Sequence, residues 1–189
     1  ALRQRGVPEG VPLWPTLPSP QTLGYRNHAR FTVGPSGSVG FVNRSTRDFV
    51  QVDQCLLMHP AINEALQALQ GNSAETTQMS VRYGEVADEM LIQPRFRNPA
   101  VTIPSGQHVY HEDVLERRFR VASPSFFQVN TRQTERLVRL LRSHLSPESD
   151  ELVVDAYAGV GTFSVLLAPH SRRVLAIEES VSAVRDAQE

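Results

Sequence analysis

The residues best placed to do chemistry lie near the end of the sequence, in 154-VDAYAGVGTFSVLLA-168 and the acid that follows it. An apolar run ends on Asp155. Gly159 and Gly161 come next, one residue apart, and a helix-like pattern opens at Thr162. Glycines in such a turn let the chain bend tightly and let a ligand approach the backbone N–H groups. A second apolar run, RVLAIE, ends on Glu178, where a carboxylate can accept hydrogen bonds from both hydroxyls of a ribose. A ligand held this way lies at the carboxyl ends of parallel strands.

Three cofactors use this logic. A phosphate-binding P-loop requires a lysine, and all nineteen basic residues here are arginine. A dinucleotide fingerprint places a third glycine where this sequence has Ser164, which disfavours it without removing it. The remaining arrangement, an acid before G-x-G and an acid ending the next strand, suits S-adenosylmethionine. Asp155 then serves the amino-acid end, and the glycines admit the adenosyl group. The plain alternative is a structural strand-to-helix turn that holds no ligand.

The other polar clusters are weaker. Tyr25, Arg26, Asn27 and Arg30 form a basic-aromatic group of the kind that grips phosphate and stacks a base; a solvated strand face is the alternative. Arg132, Arg136, Arg139 and Arg142 lie on one helical stretch and read as a solvated face. His108, Tyr110 and His111 do not make a metal site, and no metal is expected. A lone cysteine, Cys55, excludes an internal disulfide framework and an all-cysteine iron–sulfur cluster; it reads as a small buried residue. Net charge is −1, no run of 18 apolar residues occurs, and the first residues lack the apolar region of a signal peptide. A soluble, cytoplasmic protein is the expectation.

These residues need elements to hold them. Residues 1–22 form a proline-rich arm, with five prolines between positions 7 and 20. Residues 23–122 read as a β-rich α+β unit. Strands are expected at 29–33, 39–43 and 48–55, then a helix opening at Pro60 and stopping at Gly71 with Ile62, Leu66 and Leu69 on one face, then strand-like runs at 78–83, 89–94, 108–113 and 116–122. Residues 123–189 differ in kind: a helix at about 131–145, the turn SPESD, and a strand–helix–strand–helix sequence built around the glycines.

Two stretches together carry a family resemblance: 121-VASPSFFQVNTRQTERL-137, with S-x-F-F-Q-V-N just before a helix, and V-V-D-x-Y-x-G-x-G-T-F-S-V. They resemble the RNA uracil-5-methyltransferases, and 24-GYRNHARFTVG-34, 39-VGFVNRSTRDFVQVDQC-55 and 59-HPAINEAL-66 are similar to that family's central domain. The likeness runs from about residue 23 to 189. It implies a class I, Rossmann-like methyltransferase domain beginning after the α+β central domain. It implies that Gln128 holds the methionine end of S-adenosylmethionine, that Tyr157 and Thr162 line the adenosyl pocket across Gly159 and Gly161, and that Glu178 binds the ribose. It implies RNA as partner, ribosomal RNA ahead of transfer RNA. In the family a cysteine thiolate attacks carbon 6 of uracil, carbon 5 takes the methyl group, and a glutamate removes the remaining proton; the base is first extruded from its stack. Those two residues belong to family segments placed beyond Glu189, so the chain is expected to be a piece of a longer enzyme and inactive alone. The alternatives are a non-catalytic RNA-binding module with a vestigial cofactor loop and, more distantly, a dinucleotide oxidoreductase.

Overall fold

The computed structural model describes residues 4, 6, 8, 10–145 and 150–189. Most of the SPESD turn lies outside them. Its first sheet is antiparallel throughout, with strands β1 (His28–Val33), β2 (Val39–Val42), β3 (Phe49–Gln51), β4 (Gln78–Gly84) and β5 (Glu89–Gln93) in the order β3-β2-β1-β4-β5. Strand alternation divides its residues between two faces. Ala29, Phe31, Met79, Val81 and Ile92 point to one side, where helix α1 (Pro60–Leu69) covers them with Ile62, Leu66 and Leu69. All three expected helix residues are fully buried.

Sequence signals at both ends of α1 match its structure. His59 caps the start, its Nδ1 accepting from the Ala61 N–H at 3.2 Å, and Pro60 follows. Past the other end, Gln70 reaches into the sheet. Its Oε1 accepts from the Val39 N–H (2.8 Å), and its Nε2 donates to the Val39 and Val52 carbonyls (2.9 and 2.8 Å). Here β3 falls short of the expected 48–55: a side chain takes over Val52's carbonyl, and the ladder stops at Gln51.

The second half is built on the hairpin β6 (Val109–Val114) and β7 (Arg117–Ala122), whose two-residue turn holds Leu115 and Glu116 at φ of 49° and 63°. Positive φ at both positions matches the strands' twist. There follow α2 (Thr131–Leu145), β8 (Leu152–Asp155), α3 (Thr162–Leu167), a 3-10 turn at Ala168–His170, β9 (Arg173–Ala176) and α4 (Val181–Gln188). Pro169 lacks the N–H that would continue α3. β8 and β9 pair in parallel across α3, as the strand–helix–strand reading requires.

The hairpin's buried residues Tyr110, Val114, Phe119 and Val121 pack with Phe127, Val138, Val160, Leu166 and Ala183, and with Leu91 from β5. So β6 and β7, read in the sequence with the central unit, contribute their buried side to the later core. Backbone contact joins the two halves as well: at Gly84, closing β4, a Cβ would overlap the His111 carbonyl of β6.

Two buried carboxylates fix the hairpin. Asp186 of α4, its side chain fully buried, accepts from the Arg120 guanidinium, from the Ser125 hydroxyl and from the Ala122 N–H (2.8 Å). Glu112 of β6, 1% exposed, accepts at 3.0 Å from the Asn27 amide and at 3.0 Å from the Thr131 hydroxyl. The same Asn27 amide also donates to the Gln128 carbonyl (3.2 Å) and the Thr131 oxygen (3.0 Å). Burial pushes the Glu112 carboxyl up to about 7, against the lowering effect of the Thr131 and Asn27 donors.

Replacing Asp186 by alanine removes the buried acceptor of Arg120, Ser125 and the Ala122 N–H, leaving Arg120 the exposed Glu189 and Ser125 the Ser182 hydroxyl. The expected loss is about 3 kcal/mol of unfolding free energy, read by urea denaturation; a loss under about 0.5 kcal/mol, ordinary for a surface change, would contradict the anchoring role. Glu112 titrates higher folded (about 7) than unfolded (4.5), so the folded state binds the extra proton between those values. Its contribution is therefore fully present below pH 4.5 and is lost as pH rises through about 7. Glu112→Gln should remove that downward slope; parallel stability–pH curves for the two proteins would refute it.

Candidate functional site

Glycine geometry decides the shape of the loop between β8 and α3. Gly159 and Gly161 adopt φ of 56° and 82°, the left-handed region in which a side chain is strained. Around Gly159 the space a Cβ would enter is open, with no atom within 4 Å, so a ligand can approach the backbone there. Gly161 caps α3 from this conformation, and a Cβ on it would meet the Ala187 and Val165 side chains at 3.4 and 3.7 Å.

The loop and the end of β9 are locked together. Glu178 accepts from the Gly159 N–H through Oε2 (2.8 Å) and from the Ser180 N–H through Oε1 (2.8 Å). The Ser180 and Gly159 N–H groups hold this half-buried carboxyl below the usual carboxylate range, so it is ionised at neutral pH. Each oxygen keeps further acceptor capacity. Backbone bonds from the Ala158 N–H to the Ile177 carbonyl (3.0 Å) and from the Ile177 N–H to the Asp155 carbonyl (2.9 Å) complete the joint. Ser164, where a dinucleotide loop has its third glycine, donates to Asp155 Oδ2 at 2.7 Å.

The expected cofactor residues fall into two groups. Gly159 and Glu178 come together directly, Gly161 closes the same turn with its N–H on the Ala158 carbonyl, and Thr162 is buried at the start of α3. Tyr157 projects from the same turn, 93% exposed. Gln128 stands apart: it is half-buried, and no hydrogen bond joins it to the glycine loop among the described residues. Its neighbour Phe127 packs in the same core as Val160, and this ties the two segments together. Asn130 caps α2, its Oδ1 accepting from the Gln133 N–H at 2.9 Å. The arrangement suits an adenosyl ligand: a carboxylate fixed by two backbone donors with acceptor capacity left for a diol, an open backbone turn and an exposed aromatic ring.

The basic-aromatic group of the first strand is divided by the fold. Asn27 does not take the expected position against RNA, because it is buried and its amide is spent on Glu112, Gln128 and Thr131. Tyr25 is half-buried beside it, lining a small cavity with His59, Tyr83 and Glu112. Alternation sends His28 and Arg30 to the other side of the sheet, and Arg30 is exposed there, with its Nη2 donating to Gln78 at 3.0 Å. Arg82, opposite His28 in the register, was missed. Its signal in the sequence is its place on the polar side of the alternating run QMSVRYG.

The α2 arginines serve the fold. Arg136 donates to the Pro18 carbonyl of the arm (2.6 Å), Arg142 to the Leu166 carbonyl (2.6 Å), Arg132 to Glu85 (3.1 Å) and Arg139 to Glu135 (3.4 Å). His111 pairs with Glu89 at 3.0 Å. No helix among the described residues is long and apolar enough to cross a membrane.

No protein-family model matches the chain. It is 27% identical to an uncharacterised RNA methyltransferase of Thermosynechococcus vestitus over 99% of the chain and 53% of that protein. It is likewise 27% identical to one from Synechocystis over the whole chain and 52% of that protein. The fold matches the crystal structure of the Pyrococcus abyssi tRNA (uracil-54, C5)-methyltransferase in complex with S-adenosyl-L-homocysteine, with a TM-score of 0.75 over 91% of this chain and 53% of that one, at 21% identity. The chain thus spans about half the length of the curated relatives it matches. With the glycine loop, the S-x-F-F-Q-V-N segment and the central sheet in the expected order, the chain is similar to proteins named as RNA methyltransferases over about half their length, and its fold is that of the corresponding part of a tRNA (uracil-54, C5)-methyltransferase.

Proposed function

We propose that the protein carrying this chain transfers a methyl group from S-adenosylmethionine to carbon 5 of a uridine in RNA, with ribosomal RNA preferred over transfer RNA, in the cytoplasm. The observation that carries the cofactor half is the Glu178 carboxylate. It is ionised, half-buried and held in place by the Gly159 and Ser180 N–H groups at the carboxyl ends of two parallel strands. When bound, S-adenosylmethionine supplies an electrophilic methyl group. The roles of this chain's residues are to bind and to orient: Glu178 accepts from the ribose hydroxyls, the open side of Gly159 receives the adenosyl group, Tyr157 and Thr162 flank it, and Gln128 holds the methionine end. RNA is gripped by the central sheet through Arg26 and Arg30. The nucleophile and the base that removes the carbon-5 proton lie outside this segment, which by itself transfers nothing.

Two measurements test the reading. Incubating the full-length protein with methyl-labelled S-adenosylmethionine and either RNA class should place label in 5-methyluridine, resolved by chromatography of the digested RNA. Label in another nucleoside would refute the carbon-5 assignment, and label from transfer RNA alone would refute the preference. Glu178→Ala should weaken S-adenosylmethionine binding by roughly 10- to 100-fold, the effect of removing a charged hydrogen-bonding partner, measured by calorimetry. Because Glu178 lies below the usual carboxylate range, binding to the unaltered protein should persist as pH falls into that range. Unchanged affinity in the variant would sink the site assignment.

A further inference from the structure

The face of the first sheet turned away from α1 carries a second polar site. The strand register sets His28 beside Arg82, and places Arg30, Ser80 and Gln93 in one cross-strand row. With the Ser123–Pro124 loop after β7 as its far wall, this face forms an open cleft of about 420 Å³ with no acidic residue in its lining.

Arg82 is the telling residue. It is only 6% exposed, yet its Nε and Nη1 are buried without any hydrogen-bond partner. The guanidinium carbon sits 5.9 Å from the centre of the Tyr110 ring, which supports the cation from one side without neutralising it. Among the described residues, neither Arg82 nor Arg30 nor Arg26 has a carboxylate partner. Buried charges are ordinarily paired, because desolvation is costly. Their joint field is visible at His28, whose ring bonds Ser80 at 3.0 Å. Burial first, then Arg82, Arg26 and Arg30, bring its pKa down to about 4. His28 is therefore neutral at pH 7 and adds a polar group without charge.

We propose that this cleft is a phosphate subsite, in which Arg82 and Arg30 clamp one phosphodiester of a single-stranded RNA while His28, Ser80 and Gln93 supply neutral polar contacts. An anion fits because the guanidinium fork supplies donors suited to phosphate oxygens. RNA is the source because the proposal rests on the RNA-methylating reading above, and because a sheet face with basic side chains can follow a single strand.

The test uses the full-length protein and a fluorescein-labelled single-stranded RNA of about ten nucleotides, with anisotropy read across a salt series. Arg82→Gln and Arg30→Gln should each weaken binding about tenfold and flatten the dependence of log K on log salt by about one contact. Arg44→Gln, which removes the same charge from an exposed turn away from the cleft, should do neither. A scan of single neutral methylphosphonate linkages should find one that weakens the unaltered protein and costs Arg30→Gln nothing more. Arg30 is exposed, so this variant carries the test even if Arg82→Gln fails to fold. Binding unchanged in Arg30→Gln, or equally weakened in Arg44→Gln, overturns the cleft and with it the Arg30 grip on RNA, while leaving the methyl-transfer reading intact. An unaltered protein that binds no RNA overturns both.

Discussion

A single buried amide, that of Asn27, joins the two halves of the structure. Its nitrogen lies within hydrogen-bonding distance of Glu112 on the hairpin, of Thr131 at the start of α2, and of the Gln128 carbonyl between them. Its backbone continues the joint, with its N–H donating to the Val129 carbonyl and its carbonyl accepting from the Tyr83 N–H. A neutral amide surrounded by such partners is satisfied only in one relative placement of strand, hairpin and helix. A displacement of either half would strand a buried carboxylate, which costs far more than losing an exposed contact. The segment bearing Gln128 is thus registered against the central sheet by hydrogen bonds, while Phe127 registers it against the glycine loop by packing.

That arrangement explains which parts of the molecule were legible in the sequence. Every expected strand and helix among the described residues exists, because each was announced by local signals: Pro60 and Gly71 around α1, alternation in QMSVRY and EMLIQ, and glycines between β8 and α3. The Gly159–Glu178 pairing was also accessible, since a strand–helix–strand unit with an adjacent parallel pair brings those two strand ends together. What depended on long-range pairing was not accessible. Alternation separates Asn27 from Arg30, but only the long-range partners Glu112, Gln128 and Thr131 make Asn27 a buried joint and not a contact open to RNA. Nor does the run HVYHEDV reveal that Glu112 is buried while Asp113 pairs with Arg118 on the hairpin's surface.

The parallel pair presents a different physical situation from the antiparallel sheet. The first sheet has one apolar face, and α1 covers it. β8 and β9 are apolar on both sides, the pattern of strands buried in a doubly covered sheet, yet Leu152, Val154, Leu175 and Ile177 are exposed among the described residues. The chain spans about half the length of the curated relatives it matches. The glycine loop does not depend on that covering. Its positive-φ turns, the Glu178 bridge and the Ser164–Asp155 bond are all made within the βαβ unit itself.

Both candidate sites therefore combine a group held rigidly with a group left open. At the loop, Glu178 is fixed by two backbone donors and keeps acceptor capacity on a half-buried carboxylate, and Tyr157 stands exposed in the same turn. In the cleft, Arg82 is immobilised against Tyr110 but lacks a counter-charge, and Arg30 stands free at its edge. Fixing one group in advance reduces the ordering cost of binding, while the free group adapts to the ligand. Interactions that served only stability would be expected to close such valences, as Asp186 does for Arg120, Ala122 and Ser125. The contrast within one small chain, between a carboxylate with every neighbour satisfied and a guanidinium with two orphaned nitrogens, is the physical ground for reading the first as architecture and the second as a binding surface.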